Sequence, residues 1–171
     1  MEVCAFAGHS MFVECRLNFE KLIKTLQDLI NNGVKEFLIG NHGEFDKMAF
    51  RACLILKEHN PQIKITRVFS SLLTLLKEPR NEKFQNICYD IEDIYFKRRI
   101  TKTNEIMIEN SDVVVCYVDE EITHSGAKTA FNFAKKKNKK IINLYWQTRL
   151  IVVKCNRTLT RVVRHSNGNL S

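Results

Sequence analysis

No stretch of the 171-residue sequence approaches the roughly 20 consecutive apolar residues that a membrane span needs. The opening residues, Met1-Glu2-Val3, lack the basic leader and apolar core of a secretory signal. A cytoplasmic protein with no membrane partner is the resulting expectation. No two of the six cysteines are spaced as CxxC, so no zinc site is indicated and no metal is expected. Cys4 and Cys116 sit inside apolar runs, and Cys53 lies among Ala52, Leu54 and Ile55. That placement reads as free, buried thiols in a reducing compartment. Neither GxGxxG nor the P-loop pattern occurs, which sets aside the standard dinucleotide and ATP sites.

What the sequence does contain is ordinary for one globular domain: 44% hydrophobic and 27% charged residues, in a chain long enough to bury a core. The net charge is +8 and is unevenly spread. Residues 147–171 carry Arg149, Lys154, Arg157, Arg161 and Arg164 and no acidic residue. The domain is therefore read as residues 1–146, with 147–171 as a basic C-terminal extension. Its "LIVV" suits an edge strand followed by a frayed, disordered end. The extension has no aromatic side chain on which bases would stack.

Along residues 1–146 apolar runs alternate with helical patterns. "VCAFAG" (3–8), "EFLIG" (36–40), "IKITRVF" (63–69), "DVVVCYV" (112–118) and "KIINLYW" (140–146) read as strands. Between them, Leu22, Leu26, Leu29 and Ile30 recur at helical spacing, as do Met48, Ala52, Ile55 and Leu56, and then Ile100, Ile106 and Met107. Asn32-Gly33 and Asn60-Pro61 are stop signals. Residues 70–96 are less regular: a helical turn at 72–77, then an acidic loop at 89–93. Near-continuous apolar strands joined by helices mean a parallel sheet covered on both faces. The expected fold is a Rossmann-like, doubly wound α/β domain with five mostly parallel strands.

Ligands in such sheets collect beyond the carboxyl ends of the strands, where strand order reverses. Three strand ends carry unusual residues. "AGHS" brings Gly8, His9 and Ser10; "GNHGEFD" brings Gly40, Asn41, His42, Gly43, Glu44 and Asp46; "THSGAKTA" brings His124, Ser125, Gly126 and Ala127. The last opens a helix, whose first N–H groups are unpaired and carry partial positive charge suited to phosphate. The plainer alternative makes Ser125 an N-cap and Gly126 a turn residue. Glu44 and Asp46 read either as a general acid/base pair or as a ribose contact and a helix N-cap. His9, His42 and His124 come from three different strand ends, and nothing fixes their convergence on a metal. Arg98 or Arg99 read equally as a bidentate phosphate partner and as solvated surface charge.

Taken together these turns resemble the SLOG superfamily, which includes the DprA-like DNA-processing proteins and the LOG cytokinin-activating phosphoribohydrolases. The sequence is most similar to its YpsA-like branch, through "FAGHS", "GVKEFLIGNHGEFDKMA", "NEIMIENSDVVVCYV" and "SGAKTAFNFAKKKNKKIINL". The resemblance implies a nucleotide-derived ligand, its phosphate at the turn before the helix of Gly126. Gly8, His9, Gly40, Gly43, Glu44, Asp46, Asn104, Ser125, Gly126 and Ala127 would then line the site. Three departures stand out. Thr103 precedes Asn104 where the family usually has arginine, and Ser125 replaces the first glycine of its turn. "HSGAKTAFN" also lacks the glutamate of the LOG signature. Binding of a nucleoside phosphate or ADP-ribose-like molecule by a sensor or regulatory protein is therefore the leading expectation, with no required cofactor. The alternatives are a nucleotide hydrolase using Glu44 and Asp46, and a nucleic-acid module using the basic extension. Homo-oligomerisation stays open.

Overall fold

The computed structural model describes residues 2–9 and 16–145. Ser10 and the basic extension, with its anticipated edge strand, lie outside the described residues. The chain alternates β1 (Glu2–Gly8), α1 (Arg16–Asn31), β2 (Val34–Ile39), α2 (Glu44–His59), β3 (Lys64–Phe69), α3 (Leu72–Leu75), β4 (Gln85–Cys88), α4 (Phe96–Glu109), β5 (Val113–Tyr117), α5 (Gly126–Lys136) and β6 (Lys140–Asn143). All pairings are parallel, in the order β4-β3-β2-β1-β5-β6. The sheet thus has six strands, one more than the apolar runs indicate. The extra strand, β4, is "QNIC" and pairs on one side only. This strand is only partly buried, so the polar Gln85 and Asn86 are tolerated in it and leave no apolar run to read.

The period-two alternation of the central strands divides the core. Cys4 and Phe6 of β1 and Val113 and Val115 of β5 pack with Leu22, Leu26, Met48 and Ala52 of α1 and α2. Ala5 and Ala7, and Val114 and Cys116, turn to the other face, against Met107 and Ile108 of α4 and Ala130 and Phe131 of α5. The small side chains of Ala5 and Ala7 let α4 and α5 lie close to β1, which matters for the site. Burial pushes the thiols of Cys4 and Cys116 up to about 12, which leaves them protonated and inert.

Two helical faces differ from the expected ones. On α2 the buried residues are Phe45, Met48, Ala49, Ala52, Cys53 and Leu56, while Ile55 is 43% exposed. On α4 the buried residues are Thr103, Met107 and Ile108, and Ile100 is 42% exposed. Ile100 faces the cavity at the strand ends instead of the core. Gly33, at φ +103°, closes α1 as Asn32-Gly33 indicates.

Candidate ligand site

The strand order reverses between β1 and β5, the position that gathers ligands in open α/β sheets. A cavity of about 120 Å³ lies there, lined from β1 by Phe6, Ala7, Gly8 and His9. The β2–α2 turn adds His42, Gly43 and Asp46, α4 adds Ile100 and Asn104, and α5 with its cap adds Ser125, Gly126, Ala127 and Ala130. At about 30 Å³ per water the space suits one phosphate.

The α5 end is built as an anion cradle. Ser125 caps the helix, its Oγ accepting from the Lys128 N–H at 3.0 Å, while the Thr129 N–H bonds the Ser125 carbonyl. The N-cap reading of Ser125 therefore holds, and Ser125 also lines the cavity. The N–H groups of Gly126 and Ala127 have no hydrogen-bond partner among the described residues. A Cβ added to Gly126 would meet nothing within 4 Å. Lys128 points elsewhere, to the Glu120 carbonyl at 3.0 Å, and no lysine or arginine among the described residues lines the cavity. Among the described residues, the positive potential here comes from the helix terminus.

The opposite wall is set by Asp46, and here the expected cap is displaced. The helix begins at Glu44 with Gly43 as N-cap, so Asp46 is the third helical residue. Its Oδ2 reaches back to the His42 N–H at 3.0 Å and the Gly43 N–H at 3.3 Å. A Cβ on Gly40 would come within 2.8 Å of that oxygen, so Gly40 makes room for the carboxyl. Burial raises the Asp46 carboxyl to about 6, against the pull of the two N–H bonds. Gly8 serves packing: a Cβ there would fall 2.4 Å from the Phe45 ring.

Desolvation lowers the proton affinity of both cavity histidines, and Asp119 partly offsets this at His9. His9 Nε2 accepts from the Asp119 N–H at 3.0 Å, which fixes the proton on Nδ1. His42 Nε2 lies 2.6 Å from Ser70 Oγ at the end of β3. Asn143 grips both the N–H and the carbonyl of Val118, and Tyr145 bonds Asp119 at 2.6 Å. These contacts hold the strand end from which the 119–125 turn departs.

Of the residues singled out from sequence, Gly8, His9, Gly43, Asp46, Asn104, Ser125, Gly126 and Ala127 converge on the cavity. Glu44 does not. It is exposed and pairs with Lys47 at 2.6 Å, so no carboxylate pair faces the cavity. Asn41 lies beside the wall with a buried Oδ1 that has no partner among the described residues, and His124 is exposed. Arg99 is clamped to its own loop: its guanidinium pairs with the Glu92 carboxylate and bonds the Ile94 carbonyl at 2.8 Å. No three histidine, cysteine or acidic side chains gather as a metal would require among the described residues. Phe6, Ala7, Ile100 and Ala130 are the lining residues that the sequence signals only as core. His42, weighed from the sequence only as one of three histidines for a metal, lines the cavity as well.

A comparison with protein families matches the YpsA model, described as the YspA SLOG family, to residues 13–151. A search of the curated proteins gives no match. Among solved structures, the chain is similar to DNA processing protein A from Helicobacter pylori, described for its unique single-stranded DNA binding mode. The TM-score is 0.55 at 18% identity, covering 82% of this chain and 63% of that one. At that identity the likeness speaks for the fold. No described helix is long and apolar enough to cross a membrane.

Proposed function

The chain belongs to the YpsA family of SLOG proteins, and from that premise we propose that it binds a nucleotide-derived phosphorylated ligand between the ends of β1 and β5. The ligand is a nucleoside phosphate or an ADP-ribose-like molecule, and the role is that of a sensor or regulatory protein. One observation carries this reading: the N–H groups of Gly126 and Ala127, without a partner among the described residues, at the start of a helix that borders a cavity with room for a phosphate. Backbone donors and the helix dipole together suffice to hold a phosphate. Hydrolysis by a Glu44/Asp46 pair gains no support, because Glu44 is turned to Lys47 at the surface.

The reading is tested by thermal denaturation in the presence of nucleoside phosphates and ADP-ribose. At a ligand concentration about 100 times Kd, stabilisation of about 2.7 kcal/mol is expected. For a domain of this size the melting temperature then rises by about 5–10 °C. Absence of any shift across both ligand classes contradicts the proposal.

A second reading rests on the fold shared with DNA processing protein A, whose solved structure concerns single-stranded DNA, and on the basic residues of 147–171. It makes the bound phosphate part of a strand. The two readings separate by salt dependence, which is steep and linear in log[salt] when several phosphates are engaged.

A further inference from the structure

Phe96, the first residue of α4, is 62% exposed, whereas Phe6, Phe37, Phe45 and Phe69 are fully buried. Its position is what gives this meaning. Phe96, Ile100 and Asn104 are spaced i, i+4, i+8 on one helix and so share a face. Ile100 and Asn104 already line the cavity. Asn104 therefore lies deep in the site, Ile100 on its rim, and Phe96 one turn further out. At 1.5 Å rise per residue the stripe covers roughly 12 Å.

The cavity has room for a phosphate and opens to solvent, so the remainder of a nucleotide can extend out of it. Among the described residues, α4 carries an exposed apolar stripe from the lining residue Ile100 out to Phe96. Resting on the nucleotide-binding reading above, we infer that Phe96 is the stacking platform for an aromatic base whose phosphate occupies the α5 end of the cavity. The ring is held in place for this. Tyr95 meets it edge-on, with centroids 4.8 Å apart and planes at 62°. Arg99 anchors the preceding loop through Glu92 and the Ile94 carbonyl, and the Glu92 carboxylate also accepts the Leu72 N–H at 3.0 Å. Arg99 thus positions the platform and does not touch phosphate. The exposed Leu76 of the α3 region lines a separate cleft and is not part of this surface.

A base reaches the platform from a free nucleotide or from a single strand; the stacking chemistry is the same. The test titrates wild type, Phe96→Ala and Phe96→Tyr with AMP, ribose 5-phosphate and a short oligodeoxyadenylate. Wild type should bind AMP about tenfold more tightly than ribose 5-phosphate, in the range that base stacking contributes. Phe96→Ala should erase that difference without weakening ribose 5-phosphate, and Phe96→Tyr should restore it. Because the side chain is exposed, its truncation leaves the core intact, which unchanged melting of the free variants will verify. If the oligonucleotide binds more tightly than AMP and loses as much in Phe96→Ala, the platform stands and a strand is its source. If AMP and ribose 5-phosphate bind alike, or Phe96→Ala leaves AMP affinity unchanged, the platform is overturned while the phosphate reading survives. If none of the three binds, both fall.

Discussion

Replacing Gly126 with aspartate is expected to reduce affinity for a phosphorylated nucleotide by at least about 100-fold while leaving the fold as stable as before. The two halves of this expectation have separate causes. A side chain at Gly126 meets no neighbour within 4 Å, so the native packing has nothing to give way. Gly126 is the first residue of α5, where a carboxylate interacts favourably with the helix dipole by about 0.3–1 kcal/mol. The variant should therefore melt at or slightly above the wild-type temperature. Its carboxylate would, however, sit where the ligand's phosphate must sit, and would satisfy the same N–H groups. No lysine or arginine among the described residues lines the cavity to compensate. Gly126→Ala adds volume without charge and should lose far less, so calorimetric titration of both variants separates repulsion from crowding. Wild-type affinity in Gly126→Asp would place the phosphate elsewhere.

Asp46→Asn should stabilise the protein by about 2–3 kcal/mol at pH 8 and by almost nothing near pH 4. The carboxyl lies at about 6 in the fold against an ordinary 3.8. Below 3.8 the group is protonated in both folded and unfolded chains, and its stabilising contribution is fully present. As pH rises from about 4 to 6 the unfolded chain releases the proton first, so stability falls, and above 6 the buried anion costs about 3 kcal/mol. Asparagine keeps an oxygen for the His42 and Gly43 N–H groups and removes the charge, so the slope between pH 4 and 6 should disappear. Denaturant unfolding at several pH values measures this. The same substitution removes a negative charge from the cavity wall, so phosphate affinity at pH 8 should rise with it. A loss of stability at pH 8 would mean that the two N–H bonds to the carboxylate outweigh its burial.

The sequence showed the sheet and the site to different depths, for physical reasons. Four of the five apolar runs were legible because β1, β2, β3 and β5 lie inside the sheet and are covered on both faces; the fifth, at the β6 edge, was legible because Ile141 and Ile142 pack against the core. β4 was not, because an edge strand with Gln85 and Asn86 carries no such run. The polar and glycine-rich turns after β1, β2 and β5 were legible as one site because the topology rule puts them on one edge. Phe6, Ala7 and Ala130 were missed because a residue that lines a cavity from the core looks like any other core residue. Ile100 follows the helical period of a buried face, yet it is 42% exposed and lines the cavity, which periodicity alone does not reveal. Arg99 had two readings open, phosphate partner or surface charge. Its pairing with Glu92 depends on how the acidic loop folds back, which spacing does not encode. Asp46 was read one function too simply: it is a cap, but from the third helical position, and Gly40 and Gly43 owe part of their roles to it.

The central claim, that a nucleotide's phosphate sits on the first N–H groups of α5, is tested most directly by observing those groups. Titration of ¹⁵N-labelled protein with ADP-ribose and AMP should move the amide resonances of Gly126 and Ala127 first and furthest, with Gly8, His9 and Gly43 following. Saturable shifts confined to other surfaces, or an unperturbed Gly126 amide at saturating ligand, would contradict it.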